Sequence, residues 1–354
     1  APRSPRGSAE ARFLDRRRRC SFRKNPKMVR LKVACLQTNP AHGDPTVSMR
    51  AADLELARLS SADGIHILLL PEMAFSGYCF ESTDDIRRVV EHDDGATAAW
   101  CAKHAIRLKC TVLCGYPRVV DADSRKQKQN MFNALCVVGP DGNTIATYHK
   151  TFLYVVDKTW ADEGDGFLSV DIPIDVVGTK GKGTAGDASN SSALDSESKK
   201  SKNQKQFIRA TLGICMDINP REFTAPWDDY ELANAVVNHK SSLLLFASAW
   251  TNNHPDDDPS SVTPVDRIEV VTYWLNRLFP LIGKDVHFVC ANRIGEENGI
   301  MFTGCSCVLE LRKPRLVGSL GPGDVGVLVE EIEMRDEDVF FGDNEEAKTA
   351  FNRL

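Results

Sequence analysis

From Val29 onward, short apolar runs alternate with amphipathic stretches, the pattern of strands and helices stacked in layers. LKVACLQ (31–37) predicts a strand, and SMRAADLELARL (48–59), whose apolar residues fall at helical spacing, predicts a helix. IHILLL (65–70) reads as a buried strand that stops at Pro71, ATAAWCAKHAIRLK (96–109) as a second helix and TVLCGYPRVV (111–120) as a further strand. FNALCVVGPDGNTIATYHK predicts a hairpin, because Gly139, Pro140, Asp141 and Gly142 supply turn geometry between two β-rich runs. Next come strand-like FIRATLGIC (207–215), a helix over about 231–238, strand-like SLLLFASAW (242–250) and a helix in VDRIEVVTYWLNRLF (265–279). HFVCANR, the pair FTGCSCVLEL and DVGVLVEEIEM, and a charged tail over 341–354 close the chain.

Residues 178–206 break the pattern. They are Gly, Ser, Lys and Asp with almost nothing apolar, so they cannot bury enough surface to offset the entropy of ordering and predict a flexible insertion. Strand-like segments of one style lie on both sides, and no repeat of fixed period appears. One domain over 29–340 is the expectation, built as α/β.

Composition narrows the function. A 354-residue chain that is 42% hydrophobic and 26% charged can bury a large core, and no apolar run approaches the roughly 20 residues a membrane helix needs. Eleven cysteines without regular spacing or a secretory pattern fit a reducing compartment. No C-x-x-C or H-E-x-x-H occurs, and Cys305 and Cys307 are too closely spaced for a finger-like site, so no metal is expected. Residues 1–30 carry +9, whereas the remainder carries −14. A body that acidic is a poor partner for nucleic acid. The basic, Ser- and Arg-containing leader over 1–28 reads either as a mitochondrial transit peptide or as a disordered leader, and Met28 could start a cytosolic form. The expected compartment is the cytoplasm, or the mitochondrion if the leader directs import.

Three residues then stand out at three strand ends: Glu72 in LLLPEMAFSGY, Lys150 in ATYHKTFLY and Cys215 in TLGICMDINP. Ligands in α/β folds gather where strands deliver their carboxyl ends. A thiol is mostly protonated at neutral pH and needs a base or nearby positive charge to become a nucleophile. Glu72 can accept the proton, and Lys150 can stabilise the thiolate and an oxyanion. The N–H of Met216 can be a second oxyanion donor if the chain turns there. Alone, each residue has a plainer reading, because buried cysteines usually pack and surface Glu and Lys are usually solvated. Their coincidence carries the argument.

LPEMAFSGY, YHKTFLY and GICMDINP together resemble the carbon–nitrogen hydrolase family, the nitrilase superfamily, from about Val29 to about Glu333. The resemblance implies a four-layer α-β-β-α sandwich and acyl transfer without a cofactor, with Glu72 as general base, Lys150 as oxyanion stabiliser and Cys215 as nucleophile. It also implies a second glutamate, for which Glu163 is the matching position, with a surface acid as the alternative. Within the superfamily, GICMDINPREFTAPWDDYELA, FASAWTNN and VCANRIGEENGIMFTGCS look like the fungal-type protein N-terminal amidases. That likeness implies deamidation of N-terminal Asn or Gln to Asp or Glu, feeding the N-degron pathway, with peptide or protein N-termini as partners; the lack of a long apolar run predicts no membrane partner.

Such a substrate presents an α-ammonium, so carboxylates or carbonyls should line the cleft. Asp217, Asp228 and Asp229 are candidates, with capping or a solvated helix start as their alternatives, and Trp250 could line the cleft or lie in the core. Two rival functions remain open: an amidase, ω-amidase or carbamoylase acting on small molecules, and an inactive scaffold of the same fold. A cysteine peptidase is a weaker reading, because no histidine motif stands out among the eight histidines. Preference between Asn and Gln and the oligomeric state are not legible.

Overall fold

In the first strand, β1 (Met28–Gln37), alternate residues serve two different cores. Leu31, Val33 and Cys35 join an apolar cluster with Ile208, Leu212, Leu245 and Val289 from a second sheet. Ala34 and Leu36 join another cluster with Ala52, Leu56, Trp100 and Leu108 from helices. A strand buried on both faces needs a layer on each side, which is why these runs are nearly continuous in apolar residues. The second sheet repeats the arrangement, with Leu244, Phe246 and Phe288 packed against Leu232, Val236 and Trp274. The result is the expected α-β-β-α sandwich. Each fully buried Leu, Ile or Val contributes about 1.5–3 kcal/mol, so the sheet-to-sheet core is the main source of stability.

The computed structural model describes residues 27–121, 129–174, 205–251 and 264–342. After β1 come α1 (Pro45–Leu56), β2 (Ile67–Leu69), α2 (Thr83–Ile86), α3 (Ala96–Leu108), β3 (Thr111–Val120), β4 (Asn130–Val138) and β5 (Thr144–His149). The chain continues through β6 (Ser169–Ile174), β7 (Lys205–Ile214), α4 (Glu231–His239), β8 (Leu243–Ser248), α5 (Pro264–Arg277) and β9 (His287–Asn292). It ends with β10 (Ile294–Glu297), β11 (Ile300–Thr303), β12 (Cys307–Glu310), β13 (Arg315–Ser319), β14 (Gly326–Arg335) and β15 (Val339–Gly342). One sheet has the order β14-β1-β2-β3-β4-β5 and the other β13-β12-β9-β8-β7-β15, with β6 also on β7. Each contains a parallel trio, β1-β2-β3 and β7-β8-β9. β2 and β7 therefore deliver their carboxyl ends to one region from opposite sheets.

Several boundaries move for identifiable reasons. Helix α1 begins at Pro45, earlier than its apolar periodicity, because Asp44 caps it by accepting from the Val47 N–H at 3.1 Å and proline suits the first turn. FTGCSCVLEL divides between β11 and β12, since Gly304 and Cys305 take left-handed φ values of 61° and 63°. β12 then joins the second sheet, whereas the strand of DVGVLVEEIEM, β14, crosses to pair antiparallel with β1 in the first. Strand β6 went unpredicted; Pro173 within it is tolerated because β6 pairs only with β7.

β6 and β7 are antiparallel neighbours in one sheet, so the segments flanking the expected insertion share a single sheet. The insertion itself lies outside the described residues, apart from Lys205 and Gln206, which begin β7. The leader and the tail lie outside them too, apart from Lys27, Met28 at the start of β1, and Phe341 and Gly342 in β15.

Candidate active site

Glu72 sits just past β2, where the backbone is pressed against β3. A Cβ on Gly115 would lie 2.5 Å from the Pro71 oxygen and 2.6 Å from the Glu72 Cα, so only glycine allows this approach. Both Glu72 oxygens are held. Oε1 accepts from Lys150 Nζ at 2.7 Å and from Asn133 Nδ2 at 2.7 Å, and Oε2 accepts from the backbone N–H of Ala249 at 2.9 Å. Lys150 follows β5 directly, and its own N–H donates to the Asn133 carbonyl at 2.8 Å. Its ammonium also donates to Asp157 and lies 5.6 Å from the centre of the Tyr78 ring. Glu72, Lys150 and Asp157 are all fully buried.

Cys215 enters from the other sheet. β7 ends at Ile214, and a one-turn helix, Cys215–Ile218, begins with Cys215 at a left-handed φ of 39°. For a residue other than glycine such a backbone costs on the order of 1–3 kcal/mol and persists only where its surroundings enforce it. Among the described cysteines Cys215 alone is partly exposed; the other nine are buried. It lies on a cavity of about 200 Å³ whose walls include Tyr78, Tyr154, Met216, Asn219, Trp250 and Tyr273. Two other cavities, of about 260 and 470 Å³, share no residue with it and are lined largely by charged side chains such as Arg335 and Asp338. Of the three cavities, this one alone is lined by a cysteine.

The charges set proton affinities in a connected way. Burial pushes the Glu72 carboxyl up, Lys150 opposes this and Asp157 reinforces it. Burial alone would lower the Lys150 ammonium, but Asp157 and Glu72 outweigh it and hold the lysine protonated. Burial and the Glu72 charge push the Cys215 thiol up, with Lys150 opposing in part. The arrangement is a protonated thiol beside a carboxylate of raised basicity, both in the field of a fixed cation. That set suits proton transfer from sulfur to Glu72 coupled to attack on a carbonyl.

The carbon-nitrogen hydrolase family matches this chain over residues 32–227, more than half its length. The chain belongs to the carbon-nitrogen hydrolase family. It is a hydrolase of amide carbon–nitrogen bonds. The protein N-terminal amidase of Schizosaccharomyces pombe is 26% identical over 322 residues, spanning 86% of this chain and 100% of that protein. The protein N-terminal amidase of Saccharomyces cerevisiae is 30% identical over 232 residues, spanning 64% of this chain and 46% of that protein. A crystal structure of an N-terminal amidase with an Asn-Glu-Ala peptide superimposes with a TM-score of 0.68 at 20% identity, covering 89% of this chain and 99% of that one.

Within this carbon–nitrogen hydrolase, several residues singled out from sequence lie elsewhere. Glu163 is exposed and accepts from Arg221 Nη2 at 2.7 Å; Asp157, which no motif marks, is the second carboxylate on Lys150. Asp217 does not face the cavity as a ligand. It is fully buried and accepts from the N–H groups of Thr151, Phe152 and Ile214 and from the Tyr148 hydroxyl, so its lone pairs are consumed by the scaffold. Asp228 and Asp229 are exposed and do not line the cavity. Met216 and Trp250 do line it, and Trp250 packs edge-on against Trp274 at 5.6 Å. Asn133, Asp157 and Tyr78 were missed. Asp157 follows Lys150 by seven residues in YVVDKTW, and its signal was a lone acid beside two apolar residues.

Proposed function

We propose that this hydrolase deamidates the N-terminal Asn or Gln of peptides and proteins, releasing ammonia and leaving Asp or Glu. Cys215 gives its proton to Glu72 as sulfur bonds to the carboxamide carbon, and the carbonyl π electrons move onto oxygen. Lys150 and the Met216 N–H, in the first turn of the helix that follows, stabilise that oxyanion. The oxyanion collapses, the carbon–nitrogen bond breaks, and Glu72 returns the proton to the leaving ammonia. Water, deprotonated by Glu72, then hydrolyses the thioester. Asn133 and the Ala249 N–H hold Glu72 through both halves, and Asp157 keeps Lys150 in place.

The observation that carries the reading is the cavity at Cys215. Its volume of about 200 Å³ suits one residue rather than a large ligand. Its walls include the rings of Tyr154, Trp250 and Tyr273, whose faces attract an ammonium, and Asn219, whose side-chain amide oxygen Oδ1 accepts from the Tyr273 hydroxyl at 2.5 Å and retains a second lone pair. The α-ammonium is therefore recognised by ring faces and an amide oxygen rather than by Asp217, Asp228 or Asp229. Similarity to two protein N-terminal amidases supports the same substrate. A product with a new N-terminal acid would alter how the substrate is read by N-degron recognition.

Ammonia release from a peptide beginning with Asn, the same peptide acetylated, and free glutamine tests the proposal. Acetylation removes the cation, and the expected loss in kcat/KM is on the order of 10²-fold or more, since a polar site rejects an analogue lacking its partner. Equal turnover of the acetylated peptide would overturn N-terminal recognition. Higher turnover of free glutamine would favour a small-molecule amidase.

A further inference from the structure

Two loops, one from each sheet, meet at the mouth of the cavity. The first carries Tyr154 after Lys150, and the second carries Phe223 after Cys215; the two rings lie edge to face with centroids 6.3 Å apart. Phe223 is 58% exposed although it lines the cavity. Glu222 and Phe223 also occupy consecutive left-handed backbones, with φ of 55° and 56°. Asparagine or glycine would take that conformation easily, whereas a large aromatic does so against its preference.

The loop holds the conformation through local bonds. The Phe223 N–H donates to the Pro220 carbonyl at 2.9 Å, and Glu222 pairs at 2.8 Å with Lys158, which follows Tyr154 in the first loop. Arg221 pairs with Glu163 at 2.7 Å in the same direction. These four charges are matched with one another in two pairs between the loops. Val155, the residue after Tyr154, is 66% exposed, and Trp227 is 46% exposed. Trp227 packs edge-on at 5.6 Å against Tyr273, itself a wall of the cavity.

We propose that Phe223, braced by Tyr154, forms an apolar shelf for the second residue of the substrate, and that the enzyme prefers a large apolar side chain there over glycine or a charged residue. This rests on the N-terminal amidase reading. With the first carboxamide at Cys215, the outgoing peptide leaves through the mouth, and its second side chain meets Phe223 first. The occupant is thus an extended N-terminal tail with an apolar second residue.

The test is kcat/KM for ammonia release from Asn-Leu, Asn-Phe, Asn-Gly, Asn-Glu and Asn-Lys peptides of equal length, with the full chain and with Phe223→Ala and Phe223→Asn. Phe223→Asn suits the left-handed backbone and replaces the ring with a small polar amide, which guards against a loop that collapses. The wild-type enzyme is expected to favour Asn-Leu over Asn-Gly by about tenfold, mainly through KM, as one apolar contact allows. In both variants that ratio should fall to about twofold or less. A wild type that treats Asn-Leu and Asn-Gly alike, or a Phe223→Asn enzyme that keeps the ratio, would overturn the shelf while leaving N-terminal deamidation standing. Silence on every Asn peptide with turnover of free glutamine would overturn both.

Discussion

The Tyr148 hydroxyl donates to Asp217 Oδ2 at 2.7 Å, with both side chains fully buried, and joins the strand leading to Lys150 to the turn that presents Cys215. The same carboxylate accepts from Thr151 and Phe152, just past Lys150, and from Ile214, just before Cys215. A single side chain thus sets the spacing between two sheets where the chemistry needs it. Tyr148→Phe removes one donor to a buried carboxylate and should destabilise the fold by about 1.5–3 kcal/mol. It should also lower kcat more than it raises KM. Urea unfolding and peptide kinetics check the two effects together.

Asp217 also ties stability to pH. Burial raises its carboxyl to about 6, against the N–H and hydroxyl donors that lower it. Because this value exceeds the ordinary 3.8, the folded state holds the proton more tightly than the unfolded chain does. The stability contribution is therefore fully present below 3.8 and is lost as pH rises through about 6. Asp217→Asn cannot titrate, so the stability gap between wild type and this variant should be wider at about pH 4 than at about pH 7. Denaturant midpoints at the two pH values measure it; an unchanged gap would remove Asp217 as the source.

Cys215 and Lys150 should respond differently to removal. Cys215→Ala deletes the proposed nucleophile from a partly exposed position that makes no ion pair, so activity should fall by about 10³-fold or more with stability within about 1 kcal/mol of wild type. Lys150→Met leaves Glu72 and Asp157 buried together without their cation and should cost about 3–5 kcal/mol as well as activity. Thermal unfolding read alongside ammonia release separates the two cases.

Much of this was legible in the chain because it depends on local pattern. The buried strand IHILLL ending at Pro71 locates Glu72 at a strand end, and the turn after TLGI locates Cys215, since apolar periodicity and turn residues fix where strands stop. What escaped depends on long-range convergence. Asn133 lies within a strand run that reads simply as β, yet its amide touches both Glu72 and Asp157, 61 and 24 residues away. For Asp217 the sequence leaves a ligand and a cap both open; the fold decides for the cap, with the Ile214 N–H and three further donors saturating it. Glu163 and Asp157 are both acids after Lys150, and sequence spacing alone does not say which one turns inward.

Gly115 provides a steric test of the proposed base, Glu72. A methyl at this position would lie 2.5 Å from the Pro71 carbonyl oxygen, 2.6 Å from the Glu72 Cα and 2.7 Å from the Met73 nitrogen, all backbone atoms that cannot rotate away. Gly115→Ala must therefore shift the strand end that carries Glu72. Overpacking of this kind costs about 1–3 kcal/mol, and a displacement near 1 Å in catalytic geometry costs on the order of 10²-fold in rate. The expected result is a folded, less stable enzyme whose kcat has fallen far more than its stability; wild-type kcat in this variant would mean the backbone yields there without moving Glu72.

The two acids after Lys150 separate by mutation. Asp157→Asn removes a charge from a buried carboxylate bonded to Lys150, Asn133 and the Tyr154 N–H, and it leaves the ammonium with Glu72 as its remaining acidic partner. Activity should fall by about 10²-fold or more, because both the position of the cation and the basicity of Glu72 depend on that charge. Glu163→Gln breaks only an exposed pair with Arg221, whose contribution is about 0–1 kcal/mol, so turnover of a short Asn-Gly peptide should stay within about threefold of wild type. The exposed pair weakens further in salt, so raising ionic strength should bring the two proteins closer still. If Glu163→Gln instead abolished ammonia release while Asp157→Asn spared it, the second carboxylate would be the one the family resemblance indicated, and the Lys150–Asp157 contact would be structural.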